Sequence, residues 1–245
     1  MRAIVLAAGK GSRLGAKDMP KALFPICGKP IIDVVLGLID YVEKKDTYIV
    51  VGFRKEDIIA HCGAEFKYVE QTQQLGTGHA VAVCADEFKG YEGNVIVIFG
   101  DMPMYHRDVL KAVCDTHAQH AADCTIMTAV NDELPDWGKI ARDAEGKFIG
   151  IREAKDCTPE QAATSELFSG LMVFNAKSLF ATLPELSSNN AQSEYYLTEV
   201  PELMMAKGMK VEMYPIEDGD DIRGVNTPED LEICERILKM RMAQA

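Results

Sequence analysis

A glycine-rich stretch near the start of the chain contains the first candidate functional residues. An apolar run, Ala3 to Ala8, has the length and branched content of a buried strand and stops at Gly9 and Gly11. Glycines let a backbone turn tightly and bring bare N–H groups against an anion. Four cations accompany them in a chain of formal net charge −12: Lys10, Arg13, Lys17 and Lys21. This stretch predicts a phosphate-binding loop.

Two well-known glycine loops do not fit this stretch. The dinucleotide fingerprint G-x-G-x-x-G needs a third glycine where Leu14 stands, and the P-loop needs G-x-x-x-x-G-K-[ST]. A plain turn after a strand is the alternative for a lone G-x-G, but the clustered cations disfavour it.

A second candidate is the run from Glu70 to Ala80, which reads E-Q-T-Q-Q-L-G-T-G-H-A. A predicted strand end is followed by amide side chains and then by glycines at a helix start. An amide carries a donor and an acceptor side by side, which complements an edge of uracil or thymine. Gln71 is therefore a candidate for reading a base, with a capped helix and polar loop residues as the alternative. On the inside of a helix start, His79 is interpreted as structural.

Asp101 is the main candidate metal ligand. It follows a predicted strand, Asn94 to Phe99, and an acid at the carboxyl end of a parallel strand lies where open α/β sheets bind ligands. Its hard oxygen suits Mg²⁺ that also touches phosphates, although such aspartates can be mere turn formers. A zinc pattern is also conceivable, but nothing else calls for zinc; it comprises Cys114, His117 and His120.

Strands and helices alternate around these candidates. In the first half, helices are predicted over 30–43 and 55–61 between apolar strands over 3–8, 47–51, 66–69 and 94–99, and this alternation favours a parallel doubly wound sheet. A helix over 107–120 leads into the second half. There we predict strands over 123–130, 166–175 and 210–214, short antiparallel strands near 137–140 and 148–152 that form a lid over the sheet edge, and a last helix over 228–243.

Composition excludes some classes of function. With 38 acidic and 26 basic residues, general nucleic-acid binding is disfavoured, because that role requires a basic face. There is no long apolar run and no signal-peptide pattern, so we expect a cytoplasmic protein without a membrane partner. Seven scattered cysteines without C-x-x-C spacing predict free thiols. The length permits one large domain or one domain with a lobe.

Longer motifs resemble a known family. L-A-A-G-K-G-S-R-L, followed by P-K-A-L, resembles the signature of sugar-nucleotide pyrophosphorylases, which are nucleotidyltransferases with a GT-A-like α/β fold. Q-L-G-T-G-H-A and N-N-A-Q-S-E-Y-Y-L-T resemble motifs of the N-acetylglucosamine-1-phosphate uridylyltransferase domain of the bacterial bifunctional enzyme that makes UDP-N-acetylglucosamine. The resemblance runs from Leu6 to Asn226. It implies one nucleotidyltransferase domain over 1–245, with a doubly wound, mostly parallel sheet and a small antiparallel sugar-binding lobe. The nucleotide-binding part covers about 1–122, the sugar-binding part about 123–226 and a final helix about 228–243.

By that resemblance, specific residues acquire roles. The catalytic residues are Arg13, Lys21 and Asp101, and Asp101 and Asn226 are the ligands of Mg²⁺. The sugar contacts are Gly138, Glu153 and Phe168. The nucleotide-binding residues are Leu6, Ala8, Gly9, Gly11, Ser12, Arg13, Lys21, Gln71, Gly76 and Thr77.

The implied reaction joins UTP and a sugar 1-phosphate into a UDP-sugar and pyrophosphate, with N-acetylglucosamine 1-phosphate as the leading candidate. The alternatives are a cytidylyl- or thymidylyltransferase and a non-catalytic nucleotide-sugar-binding protein; a homo-oligomer is left open. Phe168 stands where these enzymes have a sugar-contacting asparagine, and Phe99 replaces a tyrosine. Phenylalanine offers no donor or acceptor, so a different sugar is also expected as a candidate, unless Phe168 points into the core.

Overall fold

A computed structural model describes residues 1–15 and 19–244, so Lys17 lies outside the described residues. The strands are β1 (Arg2–Leu6), β2 (Pro25–Ile26), β3 (Lys29–Pro30), β4 (Thr47–Val51), β5 (Lys67–Glu70), β6 (Asn94–Phe99), β7 (Cys124–Val130), β8 (Lys139–Arg142), β9 (Phe148–Arg152), β10 (Glu166–Asn175) and β11 (Val211–Ile216). The helices are α1 (Ile31–Leu38), α2 (Lys55–Cys62), α3 (Thr77–Ala82), α4 (Arg107–His120), α5 (Pro159–Ala162), α6 (Ala176–Thr182), α7 (Val200–Ala206) and α8 (Pro228–Gln244).

One sheet organises the molecule. Across the described part of the chain it has nine strands, in the order β11-β7-β10-β6-β1-β4-β5, with β8 joined to β10 and β9 joined to β8. Strand β10 runs antiparallel to both of its main neighbours, while the other main pairs are parallel. The predicted mostly parallel sheet is therefore confirmed, with one reversed strand inside it.

Both faces of the sheet are covered, because its central strands are apolar on both sides. Along β1, Ala3 and Val5 belong to one buried cluster, and Ile4 between them belongs to the other. The first cluster includes residues of α1, α2, α4 and α8, and the second includes residues of α3, α6 and α7. This two-sided burial explains the continuous apolar runs that predicted a doubly wound fold.

The short strands β8 and β9 are a hydrogen-bonded branch of the same sheet. Leu167 of β10 pairs with Lys139 of β8, and β8 and β9 pair antiparallel. The predicted antiparallel pair is thus present, but it extends the sheet from β10 rather than lying over its edge as a separate lid.

The predicted helix over 30–43 is shorter than expected. Helix α1 ends at Leu38, and the N–H of Ile39 bonds to the carbonyl of Leu36 in a tightened last turn. Gly37 in that turn is a poor helix former, which accounts for the early end. Ile39 and Val42 are nevertheless buried. The apolar residues at helical spacing therefore include buried positions that lie beyond the end of the helix.

All seven cysteines are free thiols, as predicted. Among the described residues, no helix is both long and apolar enough to cross a membrane.

Candidate active site

A cavity of about 650 Å³ opens at the carboxyl edge of the sheet. The segments that leave β1, β5 and β6 meet there, and because β10 runs the other way, its first residues reach the same edge. Of the predicted site residues, the cavity is lined by Leu6, Ala8, Gly9, Arg13, Lys21, Gln71, Gly76, Thr77, Asp101, Gly138, Glu153, Phe168 and Asn226.

The glycine-rich loop packs against the stem of Lys21. Gly11 has φ 64°, in the left-handed region, and a Cβ on it would lie 2.6 Å from the Lys21 Cβ. Glycine at this position therefore permits both the turn and the close approach. Gly11 itself does not line the cavity but supports Lys21, which does. Arg13 is exposed and lines the cavity. The side chain of Ser12 is not among those that the structure describes.

Lys21 joins the two predicted metal ligands. Its ammonium Nζ donates to Asp101 Oδ2 and to Asn226 Oδ1, the latter at 2.7 Å. These partners lie 80 and 205 residues away along the chain. Asn226 is held there by its backbone, because the Asp230 carboxylate accepts from the N–H groups of both Asn226 and Thr227. Thr227 in turn accepts from the Asp230 N–H at 3.1 Å and caps the last helix.

The side-chain oxygens of Asp101 and Asn226 are suited to binding a divalent cation. A carboxylate oxygen and an amide oxygen, both hard ligands, converge on one positive charge, which here is the Lys21 ammonium. Asp101 and Asn226 would hold Mg²⁺, which when bound neutralises phosphate charge beside them.

One wall of the cavity, the Gln71 wall, comprises Gln71, Gly76 and Thr77. The Gln71 side chain is buried, and its Nε2 lies 3.1 Å from the Gly76 carbonyl oxygen and 3.0 Å from His79 Nδ1. Gly76 has φ 108°, and a Cβ there would lie 2.5 Å from the Tyr195 carbonyl oxygen. The Thr77 hydroxyl accepts from the Leu197 N–H, so this wall is fixed by hydrogen bonds and close backbone contact.

A second set of lining residues, the Phe168 wall, comprises Gly138, Glu153 and Phe168. Glu153 follows β9 and accepts from the Thr198 hydroxyl at 2.8 Å. Burial raises the pKa of Glu153, and the nearby carboxylates of Asp156 and Glu194 raise it further, against the Thr198 hydrogen bond. This carboxylate therefore lies in a negative environment, which the hydrogen bond from the Thr198 hydroxyl relieves in part.

Phe168 both lines the cavity and belongs to the core. It is 4% exposed and is part of the buried cluster that includes Ile151. Beyond it the pairing of β10 with β7 shifts register, and Gly170 in this irregularity has φ 85°. The buried Tyr105 hydroxyl donates to the Ser169 carbonyl and holds this bend. The ring of Phe99 lies against Gly170, so both phenylalanines that depart from the family pattern border the cavity.

The three residues of the zinc pattern have separate surroundings. Cys114 is buried beside the Tyr41 hydroxyl, His117 Nδ1 contacts the Thr125 hydroxyl at 2.9 Å, and His120 is exposed. Burial lowers the pKa of His117 to about 4, so this histidine is a neutral core residue. Within residues 1–15 and 19–244 they do not form a cluster that could hold a metal ion.

Sequence reasoning assigned no role to several residues that line the cavity. Gln74 and Glu194 line it, as does the segment before β8 that includes Asp136 and Trp137. Glu194 lies within the matched N-N-A-Q-S-E-Y-Y-L-T run, so its motif was visible although its position was not. Nothing in the local sequence marks Trp137 and Asp136 as cavity residues, because their position at the cavity depends on how β8 pairs with β10.

The chain is similar to curated bacterial proteins. It is 37% identical over 240 residues to the bifunctional protein GlmU of Enterococcus faecalis and 36% identical over 242 residues to that of Geobacillus sp.. These alignments cover 98% and 99% of this chain but 52% of each relative. The chain therefore spans about half the length of the curated relatives it matches.

Solved structures show the same fold. Two structures of UDP-glucose pyrophosphorylase each match with a TM-score of 0.80. One is the apo form, at 18% identity, and the other is the complex with UDP-glucose, at 20% identity. The first match covers 99% of each chain and the second 98%. The model of the MobA-like NTP transferase domain matches residues 3–199, and this chain is therefore a member of that nucleotidyltransferase family.

Proposed function

We propose that this protein transfers a uridylyl group from UTP to a sugar 1-phosphate, forming a UDP-sugar and pyrophosphate. The membership of the nucleotidyltransferase family and the similarity to GlmU support the general reaction. N-acetylglucosamine 1-phosphate is the leading candidate acceptor by similarity, and the phenylalanines at 99 and 168 are the reason to test other sugars.

The single observation that carries this proposal is the convergence of Lys21, Asp101 and Asn226 beside the glycine-rich loop. A phosphoryl-transfer site needs positive charge and hard oxygen ligands at one point, on a scaffold that fixes them. Retention of all three groups, with Arg13 on the same lining, argues against a protein that binds nucleotide sugars without turnover.

The reaction needs no nucleophile from the protein. A phosphate oxygen of the sugar 1-phosphate attacks the α-phosphorus of UTP in line, the new P–O bond forms, and the bond to the departing pyrophosphate breaks. An ammonium has three N–H donors, and two of those on Lys21 are used by Asp101 and Asn226. The third donor and the Arg13 guanidinium stabilise negative charge on the phosphates, so catalysis consists of positioning and charge neutralisation.

On the Gln71 wall the buried amide reads the base, and on the Phe168 wall the Glu153 carboxylate accepts from sugar hydroxyls. Hydrogen bonds to an ionised acceptor are stronger than those to a neutral one, which suits a carboxylate to binding hydroxyls.

The test is pyrophosphate release from a grid of the four ribonucleoside triphosphates and several sugar 1-phosphates, in the presence of Mg²⁺. We expect release to be fastest with UTP. Faster release with CTP would replace the proposal by a cytidylyltransferase, and nucleotide-sugar binding without release would indicate a binding protein. TTP is a weaker test, because its methyl group leaves the hydrogen-bonding edge of uracil intact.

A further inference from the structure

We propose that His79 is a positioning residue that sets the base preference of the cavity by fixing the orientation of the Gln71 amide. This inference rests on the proposed nucleotide site and adds a residue that does not itself line the cavity. His79 is half-buried in the first turn of α3.

The hydrogen-bond network determines which way the Gln71 amide points. A carbonyl oxygen can only accept, so the Gln71 atom 3.1 Å from the Gly76 oxygen is the amide nitrogen. That nitrogen carries two hydrogens, and the second is directed at His79 Nδ1, 3.0 Å away. His79 therefore accepts at Nδ1 and carries its ring proton on Nε2.

Two acceptors fix the amide where one would leave it free to pivot. The Gly76 oxygen also accepts the helical hydrogen bond from the Ala80 N–H, at 3.1 Å, so it is shared between two donors. The His79 contact supplies the second fixed point. With both hydrogens of Nε2 engaged, the Gln71 side chain has its oxygen Oε1 left for a ligand in the cavity.

A fixed acceptor distinguishes the pyrimidine bases. The N3 atom of uracil carries a hydrogen and can donate to Oε1, whereas N3 of cytosine has a lone pair. Opposed acceptors leave both without a partner, and one such hydrogen bond corresponds to about a 3- to 10-fold difference in affinity.

Two amide variants separate this role from general packing. In His79→Asn, the side-chain oxygen is attached to Cγ, as Nδ1 is, so an acceptor remains opposite Gln71. In His79→Gln, the amide begins one carbon further out and leaves that position without an acceptor. Isothermal titration with UTP and with CTP, each with Mg²⁺, gives the ratio of the two dissociation constants.

We expect wild type and His79→Asn to prefer UTP, and His79→Gln to lose about 3- to 10-fold of that preference. A ratio measured on one sample does not depend on the folded fraction, and His120→Gln on the exposed end of α4 is the matched control. Equal ratios in the two His79 variants, or no preference in wild type, would overturn the inference. Pyrophosphate release reports on the proposed function separately, since binding preference does not require turnover.

Discussion

The two walls of the cavity are built in different ways. On the Gln71 wall, the Gln71 amide is held by hydrogen bonds within one strand-to-helix connection, Thr77 is tied to the distant Leu197 backbone, and Gly76 admits the backbone of Tyr195. On the Phe168 wall, the surface is formed by a buried ring and by a carboxylate with raised pKa among other acids. The first wall is specified by hydrogen bonds, and the second by the shape of a buried ring beside a buried carboxylate.

The two walls are expected to tolerate amino-acid substitution to different degrees. A wall held by hydrogen bonds permits few substitutions, because each leaves a buried partner unsatisfied. A wall formed by packed apolar groups accepts other side chains of similar volume. We therefore expect the base preference to be the stable property of this cavity and the sugar preference to be the adjustable one.

The largest expected effect falls outside both walls, at Asp101 of the same cavity. Asp101→Ala removes the only charged member of the proposed metal pair and one partner of Lys21, so turnover should fall about 10²- to 10³-fold. Asn226→Ala should impair turnover less, because it removes a neutral oxygen. Steady-state pyrophosphate release measures both, with Asp136→Ala, an exposed acid on the same lining, as the control. Full activity of Asp101→Ala at limiting Mg²⁺ would show that the metal assignment is wrong.

The next effect concerns the Phe168 wall alone. Phe168→Asn supplies a donor and an acceptor where the cavity now has neither, so kcat/KM for N-acetylglucosamine 1-phosphate should rise by about 5- to 150-fold while KM for UTP is unchanged.

A matched variant separates polarity from size. Phe168→Leu loses ring contacts without adding a polar group and should bring no gain, although both substitutions will cost stability at this buried position. If wild type already uses N-acetylglucosamine 1-phosphate efficiently and Phe168→Asn brings no improvement, Phe168 does not set the choice of sugar.

The smallest effect is a pH dependence on the same wall. Burial raises the pKa of Glu153 above its ordinary 4.5, so mild acid should protonate this carboxyl and raise KM for the acceptor. A carboxyl group whose pKa is raised by folding destabilises the folded state when it is ionised. The free energy of unfolding of Glu153→Gln should therefore be higher than that of wild type at pH 8. That difference should shrink as the pH falls through the raised pKa towards 4.5.

Acceptor KM between pH 4.5 and 8, and denaturant unfolding at the same pH values, check this prediction. Glu145→Gln, on an exposed turn, is the control. A pH profile of Glu153→Gln that superimposes on that of wild type would exclude the role of this carboxyl.

Much of the fold was predictable because its strands are buried on both faces. The bounds of β4, β6, α4 and β10 agree with the sequence patterns, since continuous branched apolar runs and regular helical spacing leave little choice. The end of α1 was not predicted, because Ile39 and Val42 continue the apolar spacing after the helix has stopped. The reversed direction of β10 depends on pairing between distant segments, which no local pattern records.

The candidate site was also predictable only in part. Local motifs placed Gln71 beside Gly76 and Asp101 at a strand end, and both line the cavity. The contact of His79 with Gln71 had no visible signal, because it depends on the direction of a side chain rather than on spacing. The roles assigned to the lining residues stay predictions.

The contacts of Lys21 also have a consequence for the order in which the protein is made. During synthesis, the amino-terminal part of a chain emerges first and can begin to fold. Lys21 can meet Asp101 after 80 further residues, but Asn226 follows only after 205. The lysine and the aspartate can therefore meet before Asn226 has been synthesised, and the three groups can converge only after residue 226 has emerged.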